Sequence, residues 1–228
     1  MKKIEHAIFH CPGISLKTRD AVKLRGYIGN LFKERSPLLH NHLEDGSLRY
    51  RYPLVQYKVV DKQPFIVGFE EGAGLLRELF VEIKELVIDG IIYPVSEKFI
   101  GSDTRYIGVD DQLHSYNFVT NWMALNEVNF KRFKNAAHSL ERHEMLNKVL
   151  AGNILSMFKA FGYFEEKKVL IYTDVRGDHS NFKENKMLTF RGSFMANLYL
   201  PPLCGVGKAV SRGFGTIIEK GTPIVSYS

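Results

Sequence analysis

The sequence predicts an α+β fold of two tandem ferredoxin-like (RRM-like) domains with antiparallel sheets, the second degenerate and carrying a long helix. Three observations predict it. Over the first hundred residues the apolar pattern runs strand, helix, two strands, helix, strand, which is the βαββαβ order. Around Phe99–Asp111 the texture turns to glycine, aspartate and serine, marking a boundary or linker. Beyond it a long helical period gives way to strand-like runs, with no repeat visible at the level of sequence. The expected domains are therefore 1–100 and 101–228, and 228 residues suffice for two domains of about a hundred each.

Each element rests on its own pattern. Ile4–Phe9 is a first strand, broken by Cys11-Pro12-Gly13. Ala21, Leu24, Ile28 and Leu31 recur at three- and four-residue spacing, which predicts an amphipathic helix over about 18–34 with Arg19, Lys23 and Lys33 on its other face. Arg35-Ser36-Pro37 ends it, because a residue before proline avoids helical geometry. A polar loop holds His40 and His42. Tyr52–Val60 and Phe65–Phe69 are rich in β-branched and aromatic residues and read as strands around a turn at Asp61-Lys62-Gln63-Pro64. A second helix is expected over 75–83, and a strand or two over 86–95, interrupted by Asp89-Gly90. In the second half His114–Met123 reads as a strand. Apolar spacing then predicts one long helix or two joined helices over 127–161, stopped by Gly162. Val169–Val175 and Met187–Leu200 are further strands.

Composition narrows the function. Apolar residues make up 45% of the chain, enough for packed cores, and a formal charge of +6 favours an anionic partner. No run of about 18 apolar residues predicts a membrane span, and the first residues lack the apolar core of a signal peptide. Cys11 and Cys204, far apart and without C-x-x-C spacing, read as reduced thiols of a cytoplasmic protein.

The most distinctive stretch is Gly205-Val206-Gly207-Lys208-Ala209-Val210-Ser211-Arg212-Gly213-Phe214-Gly215, followed by a strand at Thr216-Ile217-Ile218. It is not a Walker loop, since Gly207-Lys208 is followed by Ala209 and Pro202 stands where the first glycine belongs. Nor is it a dinucleotide fingerprint, whose third glycine would fall at Val210. A ligand-free tight turn is the ordinary reading of one glycine pair. Four glycines enclosing Lys208, Ser211 and Arg212 favour contact with phosphates through free backbone N–H groups, cations and a hydroxyl. Gly205, Gly207, Lys208, Ser211, Arg212, Gly213 and Gly215 are thus the expected phosphate-contacting residues.

The second signal is Pro37-Leu38-Leu39-His40-Asn41-His42, followed by Tyr50-Arg51-Tyr52-Pro53-Leu54-Val55-Gln56-Tyr57-Lys58. Two histidines two apart can address one ligand and exchange protons near neutrality. On spacing alone a pair of solvated loop histidines is the commoner reading. A zinc site from these histidines and the two cysteines lacks ligand spacing. Asp103, Asp110 and Asp111, which would suggest a magnesium nuclease, fit solvated linker carboxylates better. His143-Glu144 opens an H-E-x-x-H word that Asn147 breaks. Lys131, Arg132 and Lys134 form a basic helix face able to touch a nucleic acid, with solvation as the default reading.

Both signals resemble one family. The glycine stretch is similar to the C-terminal glycine-rich loop of the RAMP superfamily, the RNA-binding proteins of CRISPR systems. Its wording looks most like the repeat-RNA-processing endoribonucleases, in the type I-B-like branch where an H-x-H pair precedes a tyrosine-rich Y-P-L-x-Q-Y-K strand. The resemblance is strongest over 26–58 and 187–217. It implies a metal-independent endoribonuclease that cleaves CRISPR precursor RNA within repeats, using the RNA's own 2′-hydroxyl and leaving a 2′,3′-cyclic phosphate. It implies catalytic roles for His40 and His42 and matches Tyr50, which would orient the ribose or stack on a base; Lys33, late in the first helix, would stabilise the transition-state phosphate. A solvated Lys33 and a core-packed Tyr50 fit the sequence as well, and for Tyr57 and Lys58 packing is preferred. No cofactor is implied. The implied partner is CRISPR repeat RNA, with a CRISPR effector complex or a homodimer as further assemblies and no membrane. The alternative is a non-catalytic RAMP subunit that binds guide RNA inside such a complex.

Overall fold

The structure is a computed structural model and describes residues 1–39, 52–182 and 185–224. It resolves into two compact units. The first comprises Lys3–Arg105 with Val210–Gly213 and the residues from Pro223. The second comprises Met1–Lys2, Tyr106–Ala209 and Phe214–Thr222.

In the first unit β1 (Lys2–His10) is followed by a 3-10 turn at Thr18–Asp20 and by α1 (Ala21–Leu31). The Asp20 carboxylate accepts from the Lys17 N–H at 2.9 Å and from Lys23 Nζ at 3.0 Å, fixing the helix entrance. Ala21, Leu24 and Ile28 are buried as their spacing requires, while Leu31 is exposed and the helix stops there. Lys33, expected late in this helix, therefore lies beyond its end.

β2 (Val55–Val60) and β3 (Gln63–Phe69) form a hairpin. Its turn is Asp61-Lys62 alone, both with positive φ, the geometry that matches strand twist in two-residue hairpins. Gln63 and Pro64, expected in the turn, already belong to β3, with Pro64 opposite Val59. Every β2 residue is buried, because both faces of the strand are covered. α2 (Glu71–Leu79) opens earlier than position 75, its buried stripe being Gly72, Ala73, Leu76 and Leu79.

β4 (Glu85–Ile88) and β5 (Ile91–Pro94) pair around Asp89-Gly90 as a two-stranded sheet of their own. The strand expected there to complete the main sheet does not do so. That place falls to β6 (Phe99–Phe118), giving the order β2-β3-β1-β6. The glycine- and aspartate-rich stretch at 99–111, expected as a boundary or linker, is strand, and the two units divide within it, between Arg105 and Tyr106. The core packs Phe9, Leu24, Ile28, Tyr57 and Leu76 between helices and sheet.

The second unit contains β6 from Tyr106 onward, α3 (Glu127–Asn135), α4 (Ser139–Ala160), β7 (Ile171–Phe182), β8 (Asn185–Tyr199) and β9 (Ile217–Glu219). The helical period is two helices, since Ala136 takes an extended backbone between them. α4 buries Leu146, Leu150, Ile154, Met157 and Phe158, and Gly162, at φ +67°, ends it as its position predicts. α3 buries no residue.

All pairing in this sheet is antiparallel: β7 with β8, and β6 with both β8 and β9. The β7–β8 hairpin runs in register from Ile171–Ala196 to Phe182–Asn185. Its outer half, Arg176–Asn181, is polar on both faces and so shows no alternation in the sequence. Phe118, Trp122, Phe190 and Phe194 stack in the core. Among the described residues no helix is long and apolar enough to cross a membrane. Antiparallel sheets with helices, in a tandem ferredoxin-like arrangement, make the fold α+β.

Candidate functional site

The glycine stretch is a tightly paired arch. On its arms, Leu203 N–H donates to the Ile217 carbonyl at 2.9 Å, and Val206 N–H donates to the Gly215 carbonyl at 2.8 Å; Gly205 bridges Thr216. The segment 121–123 pins the arch, accepting from Gly215 N–H at 2.8 Å through Asn121 and from Lys208 N–H at 3.0 Å through Met123. Two glycines are obligatory here. Gly215 has φ +61°, and a Cβ on it would stand 2.0 Å from the Val206 carbonyl oxygen. Gly207 has φ +99°, and its Cβ would meet the Trp122 indole nitrogen at 2.7 Å. Side chains at these positions collide with backbone and ring.

This pairing corrects one expectation. The N–H groups of Val206, Lys208, Gly213 and Gly215 all donate to carbonyls, Gly213 to Val210 at 3.3 Å. These four are engaged within the fold, because the turns that require the glycines also consume their donors.

The arch divides its side chains between the units. Lys208 is exposed and belongs to the second. Ser211 and Arg212, half-buried in the 3-10 turn Val210–Arg212, belong to the first, as does the buried Gly213. There the Val210 carbonyl accepts from Lys58 Nζ at 3.4 Å. Lys58 and Tyr57 are both fully buried, as a packing role requires. The Tyr57 hydroxyl donates to the Leu39 carbonyl at 3.4 Å, so β2 tethers the residue just before His40. Burial drives the Tyr57 phenol well above its ordinary pKa and keeps it a donor.

Arg25 on α1 completes this cluster. Burial first, and then the positive field of Arg212, pull its pKa below the ordinary guanidinium value. Two guanidiniums and a buried ammonium gathered about one turn make a concentrated positive field, suited to a phosphate. Arg25 is a residue that sequence reading missed. It stands four residues after Ala21, at the border of the apolar stripe, where a half-buried cation is the one available signal.

His40, His42 and Tyr50 lie outside the described residues. Lys33 is exposed, 3.8 Å from Glu34. The carboxylates weighed for magnesium have other partners: Asp103 lies 3.3 Å from His6 and 2.5 Å from Arg105, and Asp110 lies 2.7 Å from His114. Both cysteines are buried. Burial pushes the Cys11 thiol up to about 12, so it stays protonated and is a poor metal ligand.

The model of the Cas6b N-terminal domain matches residues 7–105, and that of the Cas6b C-terminal domain matches residues 108–220. The chain belongs to the Cas6b family. This is the relationship that the glycine stretch and the H-x-H pair suggested. A crystal structure of Cas6b superposes with a TM-score of 0.90 at 35% identity, covering 96% of this chain and 100% of that one. A second, of the CRISPR RNA processing endoribonuclease Cas6b, gives 0.77 at 32% identity over 96% of this chain and 100% of its own. An uncharacterized protein of Methanocaldococcus jannaschii is 35% identical over 148 residues, 63% of this chain and 98% of the relative.

Proposed function

We propose that this Cas6b-family chain is a metal-independent endoribonuclease that cuts CRISPR precursor RNA within its repeats. The observation that carries the reading is its end-to-end likeness, at 32% identity, to a Cas6b named as a CRISPR RNA processing endoribonuclease. The Arg25–Arg212–Lys58 cluster supports it, because a phosphodiester is the anion such a field suits.

In this reading His40 takes the proton from the 2′-hydroxyl, whose oxygen attacks the adjacent phosphorus. The bond from phosphorus to the 5′-oxygen breaks, and His42 gives that oxygen its proton. The products are a 2′,3′-cyclic phosphate and a 5′-hydroxyl. Each proton transfer of this kind contributes about 10²–10⁴-fold. Arg25, Arg212 and Lys33 stabilise the charge that builds on the phosphoryl oxygens, and Tyr50 orients the ribose. Lys208 and Ser211 hold flanking phosphates. DNA, lacking the 2′-hydroxyl, stays uncut.

The test is single-turnover cleavage of a CRISPR repeat RNA in EDTA by the wild type and by His40→Ala/His42→Ala. The wild type is expected to cut once per repeat and the variant to lose at least about a thousandfold in rate. A double variant that cuts at full rate ends the catalytic assignment and leaves a binding subunit.

A further inference from the structure

The second unit holds a cleft of about 860 Å³, bordered by α3, α4 and the Gly207-Lys208 corner of the arch. Arg132, Lys148 and Lys208 all border it. Among the described residues none of these three forms an ion pair, whereas Lys131, also at the border, is paired with Glu127 at 3.0 Å. Glu141 and Glu144 lie on the rim, and Glu141 is engaged by the Ala137 N–H at 3.2 Å. Counting six charged lining residues, four cations face two carboxylates, so the cleft carries an excess of +2.

The neutral groups lean the same way. Asn126 spends its carbonyl oxygen on the Asn129 N–H at 2.7 Å, as the N-cap of α3. Asn153 spends its own on the Trp122 indole N–H at 3.3 Å. Both amides also offer NH₂ donors. The cleft is thus rich in cations and donors, the complement of phosphate oxygens and of acceptors on base edges. Only unpaired bases present those edges fully.

The cleft is also rigidly framed on one side. Lys208 is held by its own N–H on Met123, and the adjoining Gly207 packs on Trp122. On the other side α3 buries nothing, so core packing does not account for it. It is steadied by its Asn126 cap and by Phe133, whose ring meets Phe190 edge-on at 5.5 Å with the Arg142 guanidinium 5.7 Å from its centre.

We propose that this cleft is an RNA-docking site for a short single-stranded segment, gripped at its phosphates by Arg132, Lys148 and Lys208. The proposal deepens the endoribonuclease reading and rests on it for RNA being the ligand. Its new residues, Arg132 and Lys148, belong to the second unit and take no part in the proposed chemistry. Docking and cutting are therefore separable by experiment.

The test measures binding of a fluorescein-labelled oligouridylate and of a blunt RNA duplex by anisotropy, in EDTA, across a salt series. Wild type is compared with Arg132→Gln/Lys148→Gln and, should that variant fold poorly, with Lys148→Glu alone. The oligouridylate Kd is expected to rise about tenfold in the double variant. Its log–log salt slope becomes shallower by about 1.4, at roughly 0.7 per lost single-strand contact. Repeat-RNA cleavage at saturating RNA keeps its rate while the half-saturating concentration rises. An unchanged slope, no oligouridylate binding by wild type, or an equal loss on the duplex would overturn the proposal. Loss of cleavage by the histidine variant leaves this readout untouched, so the two readings fail separately.

Discussion

Burial and the field of Arg212 oppose the charge on Arg25, and in the proposed reading that charge faces the scissile phosphate. Arg25→Ala is therefore expected to lower single-turnover cleavage by about ten- to a hundredfold, since one charged contact to a developing phosphorane is worth a few kcal/mol. Arg25→Lys should recover only part of it, because an ammonium lacks the forked donor geometry. Full activity in Arg25→Ala would remove it from the site. At Glu165 the consequence concerns stability. Burial opposes its ionisation, but donation from the Val109 and Lys167 N–H groups and the Tyr163 hydroxyl outweighs this and holds its pKa below the ordinary carboxylate value. A depressed folded-state pKa stabilises above the unfolded value of about 4.3, and the gain is lost as pH falls through the folded one. Thermal melts should show Glu165→Gln less stable than wild type at neutral pH, with the gap closing below about pH 4. A gap that persists in acid would mean the charge plays no part.

Among the elements, the arch is the most constrained. Gly215→Ala forces a Cβ onto the Val206 carbonyl at a left-handed φ, and should cost at least about 2 kcal/mol in urea unfolding. A loss under half that would show the arch to be loosely held. The apolar spacing of Ala21, Leu24 and Ile28 made α1 legible in the sequence, and Gly162 marked the end of α4, because burial on one helical face leaves a periodic trace. The outer part of β7, Arg176–Asn181, left none, being polar on both faces, and 99–111 looked like a boundary or linker because glycine, serine and aspartate interrupt its strand pattern. In the site, the four glycines announced the arch, but which N–H groups they consume depends on partners at 121–123 far away in sequence. Arg25 was invisible for the same reason, since its neighbour Arg212 is almost two hundred residues distant.

For the whole molecule, the charge of +6 includes a cluster of cations in the first unit and a cationic cleft in the second. In the proposed reading the cleft holds the strand and the histidine pair severs it. Because RNA supplies the nucleophile, the measurement that tests this most directly uses a repeat RNA carrying a single 2′-deoxy sugar at the scissile position, incubated with the wild-type chain in EDTA. The account predicts that the all-ribose RNA is cut to a 2′,3′-cyclic phosphate, while the deoxy-substituted RNA binds equally well and stays whole. Cleavage of the deoxy-substituted RNA, or cleavage of either RNA only when Mg²⁺ is restored, would contradict it.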